Sequence, residues 1–361
     1  MNSSHKSIHT QKSIPLAGHT TIGLGGPAAE FTSCTTVDQV REALVYAREQ
    51  HLRVQILGGG SNVVFADRGF DGLVLKIDLR GVKFNEVGDQ VSVVAGAGEN
   101  WDDLVKRCID GDLAGIECLS GIPGLVGATP IQNVGAYGQE VCDTIVSVTA
   151  LERKSLELIQ IPGSECRFGY RQSRFKSDDK NRFIITEVCF RLTKFGKPQI
   201  RYSELQQYVE SRMHLNTLAN GKPALDAVRS AVLALRRRKS MVIDPADPNS
   251  RSVGSFFVNP ILSKETFATL EEQWKQSGHE KPVPVFPVKN GMKVPAAWLV
   301  ENAGFARGYR RNGAGISANH SLALINCAGT TKDLLELAGE IENTVHQKFG
   351  IRLQREAVVV E

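Results

Sequence analysis

Apolar residues recur along this chain at two spacings, and those spacings predict its elements. Over 37–50, Val37, Val40, Leu44 and Ala47 fall on one helical face, with Asp38 in the first turn where the helix dipole favours an acid. The same period returns over 332–349 in Leu334, Leu335, Ala338, Ile341 and Val345, between Thr331 as a starting cap and Gly350 as a stop. Further helices are expected over 101–109, 222–239, 264–276 and 295–302. A period of two appears over 90–97, where Val91, Val93 and Ala95 alternate with their neighbours. Strands are also expected over 53–57, 63–65, 73–77, 145–151, 156–161, 182–192 and 356–360. Strands in runs with few helices between them predict an α+β fold, not a regular alternation of strand and helix. The Pro-rich 281–288 stretch reads as a connector, and residues 1–13 as a polar tail.

Neither period survives from Gly121 to Gly138, which reads G-I-P-G-L-V-G-A-T-P-I-Q-N-V-G-A-Y-G, with five glycines, two prolines and no charge. Neither a membrane helix nor a soluble helix core tolerates that density of Gly and Pro, and Leu125, Val126, Ile131 and Val134 are too apolar for a linker. Buried irregular backbone is what remains. Its N–H and C=O groups need partners, and glycine lets another group come close. A large, flat, polar ligand supplies both; a tightly packed loop without a ligand is the alternative. A second cluster, Gly58-Gly59-Gly60-Ser61-Asn62, lies between two expected strands. Successive N–H groups in such a turn form an anion-binding hollow suited to a diphosphate. No Lys-Ser or Lys-Thr follows, and a strand rather than a helix comes next, so neither common nucleotide-loop pattern fits. A plain hairpin turn is the rival reading.

With 361 residues, 42% hydrophobic and 23% charged, the chain has room for two or three ordinary globular domains. Lys plus Arg is 43 against 39 acids, and a net charge of +4 is too mild to argue for nucleic acid or an anionic membrane. The seven scattered cysteines form no C-x-x-C pair, which points to a reducing compartment, with no disulfide framework and no metal site. The tail has no apolar stretch, so no signal peptide and a cytoplasmic location are expected. His5 and His9, at helical spacing in that tail, read as solvated.

Four places carry candidate chemistry. Arg167-Phe168-Gly169-Tyr170-Arg171, with Arg174 and Lys176, reads as a surface hairpin, a nucleic-acid patch or a bidentate carboxylate holder. Ser255, in Gly254-Ser255-Phe256-Phe257-Val258-Asn259-Pro260, is either a satisfied buried hydroxyl or a proton donor; no hydrolase pattern surrounds it. Glu356 precedes Ala-Val-Val-Val and needs either an exposed strand start or a polar site. The run Arg236-Arg237-Arg238-Lys239 is either a solvated helix end or a phosphate site.

Five motifs occur in order: Gly58 to Asn62, Gly121-Ile122-Pro123-Gly124, Pro130-Ile131-Gln132-Asn133-Val134-Gly135-Ala136-Tyr137-Gly138, Cys166 to Arg171, and Gly254 to Phe257 followed by Asn259-Pro260. Together, over 15–361, they resemble the UDP-N-acetylenolpyruvoylglucosamine reductases, also called UDP-N-acetylmuramate dehydrogenases. The resemblance implies an α+β fold: a two-lobed FAD-binding domain of the vanillyl-alcohol-oxidase-like type and a C-terminal α/β substrate domain. Lobe one is expected over 16–75 with the C-terminal strand 351–361, lobe two over 76–221, and the substrate domain over 222–350. It implies a peptidoglycan-precursor enzyme using NADPH and FAD. By the same resemblance, Gly58, Gly59, Gly60, Ser61 and Asn62 hold the FAD diphosphate. Pro123, Thr129, Pro130, Gln132, Asn133, Gly135 and Ala136 line the cofactor. Arg171, Ser255 and Glu356 match catalytic positions, and Tyr202, Lys239, Asn259 and His320 match substrate contacts.

The surroundings of Tyr202 resemble the form of the family with a tyrosine-bearing loop. Some members carry two serines where this chain has Ala128-Thr129, which puts one hydroxyl contact to the flavin in doubt. The expected partner is a UDP-sugar, with no nucleic acid, no membrane and a monomeric chain. A flavin oxidase, a colourless nucleotide-binding module and a nucleic-acid binder are the competing readings.

Overall fold

The computed structural model describes residues 8–213 and 220–361; His5 lies outside them. Two compact units emerge. Of the described residues, the first takes in 8–14, Ala28–Gly60 and Phe70–Val242; the second takes in Pro15–Pro27, Ser61–Gly69 and Ile243–Glu361.

The first unit holds two large sheets and a two-stranded one, Gly135–Ala136 with Gln139–Glu140. One large sheet has the order Gln11–Pro15, Pro27–Cys34, Phe70–Ile77, Val54–Leu57, and its last two pairings are parallel. Gln11–Pro15 is therefore a strand and not part of a loose tail. Helix Val37–Glu49 lies between two of these strands and buries Val40, Ala43, Leu44 and Ala47, as its period predicts; the Thr36 hydroxyl accepts from Gln39 N at its start. The other sheet is antiparallel, in the order Leu158–Pro162, Ile145–Glu152, Phe183–Lys194, Gln90–Gly96, Val82–Val87. Val91, Val93 and Ala95 all face the core, because a period of two puts alternate side chains on one face.

Helix Lys222–Arg238 belongs to this unit. Its Val228, Ala231, Val232 and Leu235 pack with Cys118, Leu205 and Val209, the last two on helix Ser203–Met213.

In the second unit, strands Ser252–Ser255, Ala323–Asn326, Ala314–Ile316 and Arg310–Arg311 form one sheet in that order. Helix Thr331–Phe349 packs in the same core; its cap is Thr330, not the expected Thr331, because the Thr330 hydroxyl is the one that forms a reciprocal capping box with Asp333, and it stops at Gly350, whose φ of 68° is left-handed. The last strand, Val358–Val360, pairs in parallel with Val63–Phe65. That pairing corrects the expected strand pair around Gly58 to Asn62: Val54–Leu57 pairs with Phe70–Ile77 instead, so the glycine turn is no hairpin. The 281–288 connector also needs correction, since Phe286–Val288 pairs with Gly291–Lys293.

Candidate active site

In the first unit the two glycine clusters meet backbone to backbone. A Cβ on Gly59 would lie 2.9 Å from Gly124 Cα and 3.3 Å from its carbonyl carbon. Gly124 itself has a φ of 118°, which L side chains rarely adopt, and its carbonyl accepts from Trp101 N at 3.1 Å. The segment is then stitched down by Val126 N to Glu99 O and Gly127 N to Ala97 O, each 2.9 Å. Ala128 and Ile131 stay exposed, Ile131 at 40%, beside half-buried Ile122 and Pro123. A cradle with side chains removed from one wall and an uncovered apolar strip beside it fits a flat ring system attached to a diphosphate.

Side chains within the segment divide their work. Thr129 Oγ1 donates to Val126 O at 2.8 Å. Asn133, buried at a φ of 47°, gives its amide hydrogens to Glu140 Oε2 and Gly169 O, at 2.7 and 3.1 Å, and accepts from Cys142 N at 3.1 Å. Its side chain thus anchors the loop from within. Pro130 is buried, Gln132 half-buried, and Gly135–Ala136 pairs with Gln139–Glu140. The Arg167–Arg171 stretch is turned by a Gly169–Gln172 bridge, and Arg171, at a φ of 53°, donates from Nη2 to Gly135 O at 2.9 Å. The stretch thus forms a tight turn, as the hairpin reading has it, and that turn is tied to the glycine segment through Arg171.

Two residues further along, Tyr137 meets Tyr202 edge-on, ring centroids 5.6 Å apart. Lys239 Nζ lies 6.0 Å from the Tyr137 ring centre and pairs with Glu204 Oε2 at 2.7 Å. Burial, ahead of the opposing pull of the Arg236 charge, pushes the Tyr137 hydroxyl up to about 12, so it stays protonated. The basic run at 236–239 is not a uniform solvated face. Arg236 is buried, Arg238 stacks over Tyr208 at 5.0 Å, and Lys239 reaches the tyrosines.

In the second unit, Ser255 follows Gly254, whose φ is 77°, at a register shift between strands Ser252–Ser255 and Ala323–Asn326. Such irregularities re-aim side chains. Ser255 Oγ lies 3.2 Å from His320 Nε2. Glu356 joins them through its backbone, donating from N to Phe256 O at 2.8 Å, and Asn62 Nδ2 donates to the Glu356 carbonyl at 3.2 Å. The Asn259 side-chain Oδ1 accepts from Ala296 N at 2.8 Å, at the start of a short helix. Arg171, Tyr202 and Lys239 belong to the first unit, and Ser255, Asn259, His320 and Glu356 to the second.

Sequence reasoning missed Glu204, the partner of Lys239, and Glu140, the partner of Asn133. Each is an ordinary acid on a local pattern, and only tertiary contact picks it out. Among the described residues, no cluster of His, Cys, Asp and Glu could hold a metal ion, and no helix is long and apolar enough to cross a membrane.

Comparison with known proteins places these features in a class. Residues 28–155 match the FAD binding domain family, so the chain is a flavoprotein. Residues 245–360 match the C-terminal domain of UDP-N-acetylenolpyruvoylglucosamine reductase. The chain is 46% identical to the UDP-N-acetylenolpyruvoylglucosamine reductase of Thermobifida fusca, covering 97% of both chains. It is 44% identical to that of Streptomyces coelicolor over 96% of this chain and 89% of the relative. This chain belongs to the UDP-N-acetylenolpyruvoylglucosamine reductase family. The crystal structure of the Thermus caldophilus reductase shares its fold, with a TM-score of 0.65 at 22% identity and 98% coverage of each chain.

Proposed function

We propose that this chain reduces the enolpyruvyl double bond of UDP-N-acetylglucosamine enolpyruvate to UDP-N-acetylmuramate, with NADPH as reductant, in peptidoglycan precursor synthesis. The observation that carries the reading is family membership along nearly the whole chain, spanning the flavin domain and the C-terminal domain alike. FAD, when bound, supplies the hydride relay between NADPH and the substrate. The residues of this chain do the rest.

The Gly58–Asn62 turn holds the diphosphate, and the 121–138 segment supports the ring system. When hydride reaches the terminal methylene carbon, the electron pair of the double bond moves to the neighbouring carbon and into its carboxylate. The Arg171 guanidinium, fixed against Gly135 O, stabilises that enolate. Ser255 Oγ–H delivers the proton to the carbanion carbon, and the oxygen left behind takes a proton in turn from solvent. His320, at 3.2 Å, holds Oγ in the orientation that transfer needs, and Glu356 acts as an acid or orienting group. Tyr202 is the tyrosine of the substrate loop, and Lys239 meets the nucleotide diphosphate. Asn259 and His320 complete the substrate contacts. We also assign the enzyme to the cytoplasm as a monomer, with neither nucleic acid nor membrane as partner; scattered thiols and a charge of +4 support this.

Purified protein is expected to be yellow, with about one noncovalent FAD per chain, since neither glycine cluster contains a His or Cys to form a covalent link. Flavin absorbance before and after denaturation and filtration checks this. A colourless protein that takes up no added FAD contradicts the reading.

Tyr202 and Lys239 are the set assigned to both NADPH and the sugar nucleotide, so the two bind in turn. Ping-pong kinetics are expected, with inhibition by excess sugar nucleotide. Lys239→Ala is expected to raise KM for both ligands, after releasing Glu204. Intersecting initial-velocity lines, or a variant that weakens one ligand only, would mean two separate sites.

A further inference from the structure

Gly121 opens the glycine segment, and charged side chains from two helices take both of its backbone polar groups. Its N–H donates to Asp102 Oδ1 at 2.6 Å, and its carbonyl accepts from Arg236 Nε at 3.2 Å. Asp102 stands in the first turn of helix Trp101–Asp110. Arg229 and Arg236 stand two turns apart on helix Lys222–Arg238. Arg229 grips Asp102 with both terminal nitrogens, at 2.6 and 2.8 Å. This is the bidentate geometry that fixes direction as well as distance. Gly121 has a φ of 71°, and a Cβ there would lie 2.7 Å from Leu233 Cδ2 on the same helix.

Arg236 is 7% exposed and donates also to Met241 O at 2.7 Å. Burying a guanidinium is costly, and an apolar side chain would pack this helix face without that cost. What the arginine adds is a hold on Gly121 O. Three residues on lies Gly124, the backbone that touches the Gly58–Gly60 turn. Residues 156–244, which include this helix, fall outside both domain matches.

We infer that the Arg229–Asp102–Gly121–Arg236 clasp makes helix Lys222–Arg238 a determinant of flavin affinity, setting the Gly121–Gly124 arch against the Gly58–Gly60 turn before cofactor arrives. The four are positioning residues, and the inference rests on the flavin reading of the first unit. FAD is titrated into the full-length apo protein, followed by flavin fluorescence and visible spectrum, with the apo melting temperature measured alongside. If releasing the clasp leaves about a tenth of molecules with the arch in place, Arg229→Met raises the Kd for FAD about tenfold and alters the bound-flavin band shape. Lys222→Ala removes exposed ion pairs to Asp110, at the far end of helix Trp101–Asp110, and to Asp226 on its own helix, leaves the clasp in place, and is expected to keep the wild-type Kd and spectrum.

Wild-type affinity in Arg229→Met, or an equal loss in Lys222→Ala, overturns the inference. Should Arg229→Met fail to fold, amide exchange of wild-type protein decides: the Gly121 amide is expected to be protected in apo and FAD-loaded forms alike. Protection that appears only with FAD overturns the inference. Wild-type protein that takes up no FAD overturns the flavin reading and the inference together, whereas wild-type uptake with an unaffected variant overturns the inference alone.

Discussion

Ser255→Ala is expected to leave flavin reduction by NADPH nearly intact and to slow reoxidation by the enolpyruvyl substrate by about 10²–10⁴-fold, the range for a lost general acid. The asymmetry follows from the chemistry. A proton is delivered only in the second half-reaction, so a proton donor has nothing to do in the first. Its local geometry suits the role: left-handed Gly254 and the register shift turn the hydroxyl out of the strand pairing and onto His320 Nε2 at 3.2 Å. His320→Ala is expected to slow the same half-reaction by less, because it loosens Oγ without removing it. Stopped-flow absorbance separates the two half-reactions. Equal slowing of both in Ser255→Ala would assign the serine to packing.

Gly59→Val is expected to abolish stable FAD binding. The first added carbon already falls 2.9 Å from Gly124 Cα, where the obstacle is backbone and not the end of a flexible side chain. The two glycine clusters must separate, and with them the hollow assigned to the diphosphate. Overpacking of this kind costs about 1–3 kcal/mol in a core. Here the cost falls on the binding geometry, so flavin content is expected to fall further than the melting temperature. Gly339→Ala is the control. Gly339 lies within helix Thr331–Phe349 with nothing within 4 Å of an added Cβ, so alanine there is expected to add about 0.5–1 kcal/mol of stability and leave flavin content unchanged. A Gly59→Val protein that keeps a full complement of FAD would show that the turn has another task.

Periodicity made the regular parts of this fold legible. Helices Val37–Glu49 and Thr331–Phe349 and strand Gln90–Gly96 lie within a residue or so of where their apolar spacing puts them, because one face of each packs into a core. Strand Pro27–Cys34 escaped notice: its buried positions are Ala28, Phe31, Thr32 and Cys34, of which Ala28 is small and Thr32 polar, so its burial leaves no apolar alternation in P-A-A-E-F-T-S-C. The partners of Val54–Leu57 and Val63–Phe65 were illegible for a different reason. Strands close in sequence usually pair, and here each finds its partner elsewhere, Val63–Phe65 almost 300 residues away at Val358–Val360.

At the candidate site, glycine density marked where two loops meet backbone to backbone, because closeness leaves a compositional trace. The supports of that backbone leave none. Glu140 behind Asn133, Asp102 and Arg229 behind Gly121, and Glu204 on Lys239 are surface-type residues whose partners lie well along the chain, apart from the Asn133–Glu140 pair. The two arginines at 229 and 236 do share a helix face with Val228, Val232 and Leu235, and a charge recurring on an apolar stripe is the one signal that could have flagged them.

The most direct test is an anaerobic two-step titration of the purified protein, read by flavin absorbance near its visible maximum. NADPH added alone is expected to bleach the flavin, and UDP-N-acetylglucosamine enolpyruvate added next to restore the colour, with one UDP-N-acetylmuramate formed per flavin reoxidised. Flavin that stays oxidised with NADPH, or reduced flavin that oxygen reoxidises and the enolpyruvyl substrate does not, would contradict the account.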